Sequence, residues 1–325
     1  MKKLFWRCKD EKENNLTFKY ISFINIKFLR QICTLFNTIM LVLKAIIKRK
    51  ENPIFICDIL NSTIAISTLL VCKIFSVKCL AVVTDLPRDI NNNKISSKLN
   101  QFFQNKFDGY ILLTKYMNKI INTRNKPFIV IEGFADIKNC NIENNIRYKE
   151  KICLYAGGLY EKYGIKTLTS AFQKIDDKEY KLHFYGNGDM VDYIKCLKSE
   201  NIKYMGVLKN NEMIKKETQA TLLINPRFSD NDYTKYSFPS KNIEYMSTGT
   251  PVLTTKLLGM PEEYYNFVYF FDLETVEGFK NTLNKVLSLS AKELHKKGKL
   301  SQNFVLKKKN NYKQGYNLKK FLMCL

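Results

Sequence analysis

The chain of 325 residues contains only two histidines, His183 and His295, and a single tryptophan. Nine cysteines are scattered along it, and no two stand at C-x-x-C spacing. This scarcity argues against a zinc site and against a disulfide framework, and it fits a reducing cytoplasm. Glycine is missing from the first third, where Gly109 is the first to occur. No Gly-rich phosphate loop can therefore form before that residue, so the start of the first domain reads as shortened. Acidic residues are scarce at both ends. Residues 1–50 hold 12 Lys/Arg against 3 Asp/Glu, and residues 286–325 hold 10 against 1. The two ends thus carry most of the formal net charge of +23. That distribution points to an anionic surface docked by the ends, with lysine usage set by coding composition as the alternative. No aromatic–basic interleaving or nucleic-acid module accompanies the charge, so no nucleic-acid partner is expected.

Long apolar runs are also few. The opening "MKKLFWRCKDEKENN" has basic residues with no apolar core behind them, unlike a signal peptide. Residues 31–46 are apolar but interrupted by Asn37 and Lys44, which suits a buried or interfacial helix before a membrane span.

What is present is the composition of a globular protein, 45% hydrophobic and 13% aromatic, with length enough for two domains. Buried strands are expected at 52–60, 77–87, 109–114 and 126–136, separated by helices at 26–49, 62–75 and near 98–108. The polar run 137–151 reads as a linker. A second series then alternates strands at 152–160, 180–188, 202–208, 220–227, 251–255 and 267–272 with helices. Long helices fill 273–289 and 291–322. Alternation of this kind predicts α/β architecture, with two Rossmann-like domains in tandem and a site at the carboxyl ends of strands.

Glycines gather in the second series. Gly157 and Gly158 follow one strand, Gly186 and Gly188 the next, Gly206 another, and Gly259 follows "VLTTKLL". Such turns let backbone amides approach a phosphate and let loops lie flat against a base. The stretch "SFPSKNIEYMSTGTPVLTT", residues 237–255, sets Glu244 in an apolar helix that ends at Gly249, with Lys241 one turn before it.

These segments carry a resemblance. "YAGGLYEKYGIKTLTSAF", "HFYGNGD", "LLINPR" and "SFPSKNIEYMSTGTPVLTT" followed by "GMPEEY" resemble, in order and spacing, the donor domain of glycosyltransferase family 4. The ending "NFVLKKKNNYKQGYNLKKFL" resembles that family's closing helix. "YISFINIKFLRQI" and "AVVTDLP" are similar to members that build bacterial cell-surface polysaccharides such as capsule, exopolysaccharide or O-antigen. The resemblance implies a GT-B fold, two Rossmann-like domains facing across a cleft, with the C-terminal helix returning to the first domain. The implied division is 1–137 for the acceptor side, 138–305 for the donor domain and 306–325 for the closing helix. The implied activity is retaining transfer from a nucleotide-sugar to a glycan or polyprenyl-linked acceptor, with no metal or other cofactor.

By the same resemblance, Glu244 matches the acid that binds the donor's ribose. Tyr236 falls where the family has its sugar-binding acid. Gly259, Met260, Pro261 and Glu262 match the loop whose amides face the sugar and diphosphate. Two phosphate-charge positions of the family fall on Gly158 and Tyr163, and Glu132 replaces the Asn of an interdomain turn. From the residues themselves, Lys241 and Arg227 are the nearby cations able to hold a diphosphate. The turn Gly206, Val207 and Leu208 is expected to pack on the base, with Gly157, Gly186 and Ser240 at the donor pocket. Asp85, ending a buried strand, is the candidate on the acceptor side. If the two basic ends form one face, the protein would ride the anionic inner leaflet of the cytoplasmic membrane. The competing expectation is a shortened, catalytically impaired relative that binds nucleotide or serves as a subunit of a transferase complex.

Overall fold

The structure, a computed structural model, describes residues 5–6, 10–13, 16–48, 52–86, 102–137, 151–230 and 232–325. Pro87, residues 98–101 of the helix expected near 98–108 and nearly all of the polar run 137–151 lie outside the described residues. The chain divides into two compact units, Met1–Val130 and Ile131–Leu325.

In the first unit, residues assigned no structure by sequence form short antiparallel pairs. Strand β1 (Phe5–Trp6) pairs with β4 (Phe23–Ile24), and β2 (Glu11–Glu13) pairs with β3 (Leu16–Phe18). Helix α1 (Lys27–Ile47) follows, then β5 (Ile54–Asp58), α2 (Ser62–Ile74), β6 (Lys78–Val83), β7 (Gly109–Leu112), α3 (Lys115–Ile121) and β8 (Phe128–Val130). The four strands β5 to β8 form a parallel sheet in sequence order. Their apolar runs have the composition of strands covered on both faces, and all four residues of β7 are buried. Asn61 caps α2, its side-chain oxygen accepting from the Ile64 amide at 3.3 Å. Helix α1 buries Val42 and Ile46 but leaves Phe28, Ile32, Leu35, Phe36 and Met40 exposed. By length and composition, Phe28–Ile47 is apolar enough to cross a membrane.

The second unit contains β9 (Ile152–Ala156), α4 (Ile165–Phe172), β10 (Lys181–Tyr185), α5 (Val191–Cys196), β11 (Ile202–Tyr204), α6 (Asn210–Gln219) and β12 (Leu222–Asn225). It continues with α7 (Ser240–Ser247), β13 (Val252–Thr254), β14 (Tyr269–Phe270), α8 (Val276–Leu287), α9 (Ala291–Lys308) and α10 (Asn311–Met323). The six strands are parallel in the order β11-β10-β9-β12-β13-β14. Phe172, Leu182, Phe184, Leu222, Leu253, Phe279 and Leu283 form the middle of its core. Successive strands grow outward from β9 on one side and from β12 on the other. The order therefore reverses between these two strands, and their carboxyl ends open the crevice in which doubly wound sheets take ligands.

The single helix expected over 291–322 is two helices. Lys309 leaves helical geometry, and Asn310 begins the next helix, its side-chain oxygen accepting from the Lys313 amide at 2.7 Å. The break has a partner in the turn at 132–136. The Ala135 amide donates to the Lys309 carbonyl at 2.8 Å, and the Asn311 amide donates to the Ala135 carbonyl at 3.0 Å. Beneath this junction Glu132, 3% exposed, pairs with Lys309 and accepts from the Tyr264 hydroxyl at 2.8 Å. The acid in this turn is thus buried among its partners.

Candidate active site

Loops from three neighbouring strands stack at the carboxyl edge of the second sheet. The Gly157 amide donates to the Tyr185 carbonyl, and the Gly186 amide donates to the Gly206 carbonyl, each at 2.9 Å. Gly186 has φ +133°, and a Cβ there would lie 1.8 Å from the Gly157 carbonyl oxygen. Only glycine permits this approach. The sequence expectation that these glycine amides face a phosphate is corrected here. The amides of Gly157 and Gly186 bind the next loop, so the glycines compact the edge. Gly158 lies beside them, its carbonyl accepting from the Tyr155 hydroxyl at 2.7 Å. Val207 is exposed next to Gly206, and Leu208 is partly covered, so an apolar surface flanks the loop stack.

Arg227 follows β12, at the strand reversal. Its guanidinium carbon lies 4.7 Å from the centre of the Tyr163 ring, and its Nη1 donates to the Ser237 hydroxyl at 3.3 Å. The Thr255 hydroxyl donates to its backbone carbonyl. A residue that sequence reading counted as a lost cation, Tyr163, is therefore the platform on which another cation rests. Stacking on an aromatic face suits arginine better than lysine.

Helix α7 carries Ser240, Lys241 and Glu244 to the same edge. Two buried side chains on its inner face fix it there. Asn242 accepts from the Asn225 side chain at 2.8 Å. The Tyr245 hydroxyl donates to the Ala156 carbonyl at 3.1 Å and accepts from the Ala156 amide at 2.7 Å. Burial pushes the Tyr245 phenol far above its ordinary pKa, so it stays neutral and keeps both bonds. With Asn242 and Tyr245 turned inward, the Lys241 and Glu244 side chains reach the surface, 30% and 31% exposed. Lys241 Nζ lies 3.1 Å from Glu244 Oε1. Lys241, expected to be a phosphate cation, is first a counter-ion for Glu244, because the two stand one helical turn apart. Ser240 is exposed at the start of the helix.

Tyr236 ends the short 3₁₀ segment Asp232–Tyr236, partly covered, with Lys235 Nζ 5.3 Å from its ring centre. The turn at Gly259 packs against this segment. A Cβ on Gly259 would meet the carbonyl oxygens of Ser237 at 2.4 Å and Thr234 at 2.9 Å. Met260 is buried, and its amide donates to the Leu257 carbonyl at 3.0 Å. The amide attributed to sugar or diphosphate binding is thus already engaged at Met260. Pro261 precedes the 3₁₀ segment Glu262–Phe267, and Glu262 is exposed. Asp85 belongs to the first unit, exposed just beyond β6. Among the described residues no group of three or more His, Cys, Asp or Glu side chains gathers where it could hold a metal ion.

Four contributors escaped the sequence reading: Asn225, Asn242, Tyr245 and Glu217. For the three on helices the signal was helical spacing, and Asn225 ends strand β12. Tyr245 adjoins Glu244, and Glu217 falls on the face of α6 that also carries Met213 and Ile214.

The likeness to solved structures is broad and remote. HepE of Anabaena in complex with UDP aligns over 88% of this chain and 82% of that one, at 12% identity and a TM-score of 0.69. Sucrose-phosphate synthase from Thermosynechococcus elongatus aligns over 89% and 79%, at 14% identity and a TM-score of 0.63. The pneumococcal O-GlcNAc transferase GtfA, in complex with UDP and GlcNAc, aligns over 96% and 69%, at 11% identity and a TM-score of 0.61. These neighbours are GT-B glycosyltransferases, and the chain shares their fold. Compared by sequence with curated proteins, it has no significant match. Residues 136–303, just over half of the chain, match the family model for glycosyl transferases group 1, and the chain belongs to that family.

Proposed function

We propose that this glycosyltransferase is a family 4 enzyme that moves a sugar, with retention, from a nucleotide-sugar to a glycan or polyprenyl-linked acceptor of bacterial cell-surface polysaccharide. The observation that carries the donor site is Arg227 stacked on Tyr163 just beyond β12, at the carboxyl edge where the strand order reverses, with the Lys241–Glu244 pair on the helix that follows. An ionised carboxylate accepts hydrogen bonds from two ribose hydroxyls, and an arginine fork fits phosphate oxygens. That several neighbours were solved with UDP or a UDP-sugar supports the same placement.

In this reading the base rests on Gly206, Val207 and Leu208, Glu244 holds the ribose, and Arg227 holds the diphosphate with Lys241 close by. Loss of the nucleoside diphosphate puts negative charge on the leaving oxygens, where a fixed guanidinium stabilises the transition state more than the ground state. A leaving phosphate oxygen takes the acceptor hydroxyl's proton, so no protein nucleophile is required. Tyr236 offers a hydroxyl to the sugar in place of a carboxylate. Asp85 and its surroundings in the first unit select the acceptor. The exposed apolar stripe of α1 and the basic ends support a place on the inner face of the cytoplasmic membrane.

The tyrosine at position 236 also favours a second reading, a nucleotide-binding relative without transferase chemistry, alone or as a subunit of a transferase complex. Incubation with UDP-, GDP- and TDP-sugars separates the two. Slow donor hydrolysis, or transfer once an acceptor is added, supports the enzyme. Tight binding of an intact donor supports the second reading.

A further inference from the structure

Glu217, on the inner face of α6, is 0% exposed, and no hydrogen-bond donor reaches either of its carboxyl oxygens. Its backbone carbonyl is satisfied by the Thr250 hydroxyl at 2.8 Å, so the side chain alone is orphaned. A bare carboxylate so placed is strongly penalised, and a neutral acid is the form that burial allows. Among the described residues, the charged and titratable groups acting on it lie on α7. These are Glu244, which bears on it by charge and by hydrogen bonding, Lys241, and the neutral Tyr245 hydroxyl. Burial first, and the Glu244 carboxylate second, push the Glu217 pKa up to about 9. A carboxylic acid that keeps its proton is a donor, and the acceptor at hand is Glu244.

We propose that Glu217 is a positioning residue, which in its neutral acid form donates a hydrogen bond to the Glu244 carboxylate and fixes the rotamer that meets a nucleotide's ribose hydroxyls. The O–H···O⁻ bond is of the strong, charge-assisted class. Lys241 binds Glu244 from the exposed side, so the carboxylate is held between a buried donor and an exposed one. Above the pKa of Glu217 the donor becomes a second carboxylate, repels Glu244, and the clamp loosens.

This inference rests on Glu244 being the ribose-binding acid, and the experiment separates the two. UDP affinity is measured by calorimetry from pH 7 to about 10 for the intact protein and for E217Q, E217L and E244A. E217Q, which donates through its amide, retains the neutral-pH affinity within about threefold and lacks the loss that the unaltered protein shows above about pH 9. E217L binds UDP about tenfold or more weakly at every pH. Parallel profiles for E217Q and the unaltered protein, or full affinity in E217L, would overturn the proposal while leaving Glu244 in place. Full affinity in E244A would instead remove the ribose clamp itself. A readout independent of nucleotide is the infrared difference spectrum between the unaltered protein and E217Q at neutral pH. It shows a protonated-carboxyl stretch if Glu217 carries its proton, and absence of that band contradicts the proposal. Thermal melting of each variant confirms that it is folded.

Discussion

Lys241 Nζ sits 3.1 Å from Glu244 Oε1, three positions apart on one short helix and each about a third exposed. A pair this exposed adds little to stability, on the order of 0–1 kcal/mol. It holds a carboxylate in a defined place at the edge where the proposed donor would bind. Replacing Glu244 with alanine is therefore expected to cost little through this pair, and about 1–3 kcal/mol through the buried Glu217 acid that loses its acceptor. Nucleotide affinity should fall by roughly 10- to 100-fold, the loss of one or two hydrogen bonds to a charged group. K241A is expected to weaken affinity less, because it removes a support and leaves the acceptor. Calorimetry with UDP and a parallel melting curve check both outcomes.

Arg227 and Tyr163 make a second paired test. Removing a cation that faces developing charge typically costs about 100- to 1,000-fold in kcat. R227A is expected to fall in that range with a smaller change in KM. R227K keeps the charge but gives up the planar fork and the stack on Tyr163, so most of the loss should persist. Y163A should lose less than either, since the arginine keeps its charge and fork and gives up only its platform. Steady-state kinetics on whichever donor supports turnover check the order.

Tyr245 predicts a stability effect. Its hydroxyl serves both the amide and the carbonyl of Ala156, and its side chain is 0% exposed. Y245F leaves both backbone groups unsatisfied in the core and is expected to destabilise the fold by about 1–3 kcal/mol or more. Urea unfolding would show the loss as a lower midpoint with an unchanged slope. An unchanged midpoint would mean that α7 is anchored by other contacts.

Glu217 also predicts how stability varies with pH. Its folded pKa, about 9, lies above the ordinary value of 4.5. Between those two values the unfolded chain releases its proton while the folded protein keeps it, so the unfolded state binds fewer protons and stability falls as pH rises. The contribution of this residue reaches at most about 1.4 kcal/mol per pH unit. In E217Q the slope is expected to flatten across that window. Equal slopes in denaturant titrations at several pH values would show that Glu217 does not hold its proton.

The strands were readable because buried parallel strands announce themselves as short apolar runs, and the alternation with helices gave two α/β units. The helix carrying Glu244 was readable from the apolar pattern that stops at Gly249. Loop chemistry was less accessible. Glycines after β9, β10 and β11 mark a crowded edge, but spacing alone does not say whether their amides face a ligand or the next loop. The break at Lys309 was hidden because Asn310 fits a helix interior as well as a cap, and its choice depends on Ala135, far away in sequence. Glu217 looked like one more surface acid in "NNEMIKKETQ". Its burial follows from its place on the α6 face that carries Met213 and Ile214, a helical-spacing signal that residue type alone hides.

The central claim is that the carboxyl edge of the second sheet binds a nucleotide-sugar for transfer, with Glu244 on the ribose and Arg227 on the diphosphate. The most direct measurement follows nucleoside diphosphate release from UDP-, GDP- and TDP-sugars by the intact protein, E244A and R227A. The account predicts release from at least one donor, strongly reduced in both variants while they remain folded. Release that is unchanged in both variants, or no binding or turnover of any of these donors, would contradict it.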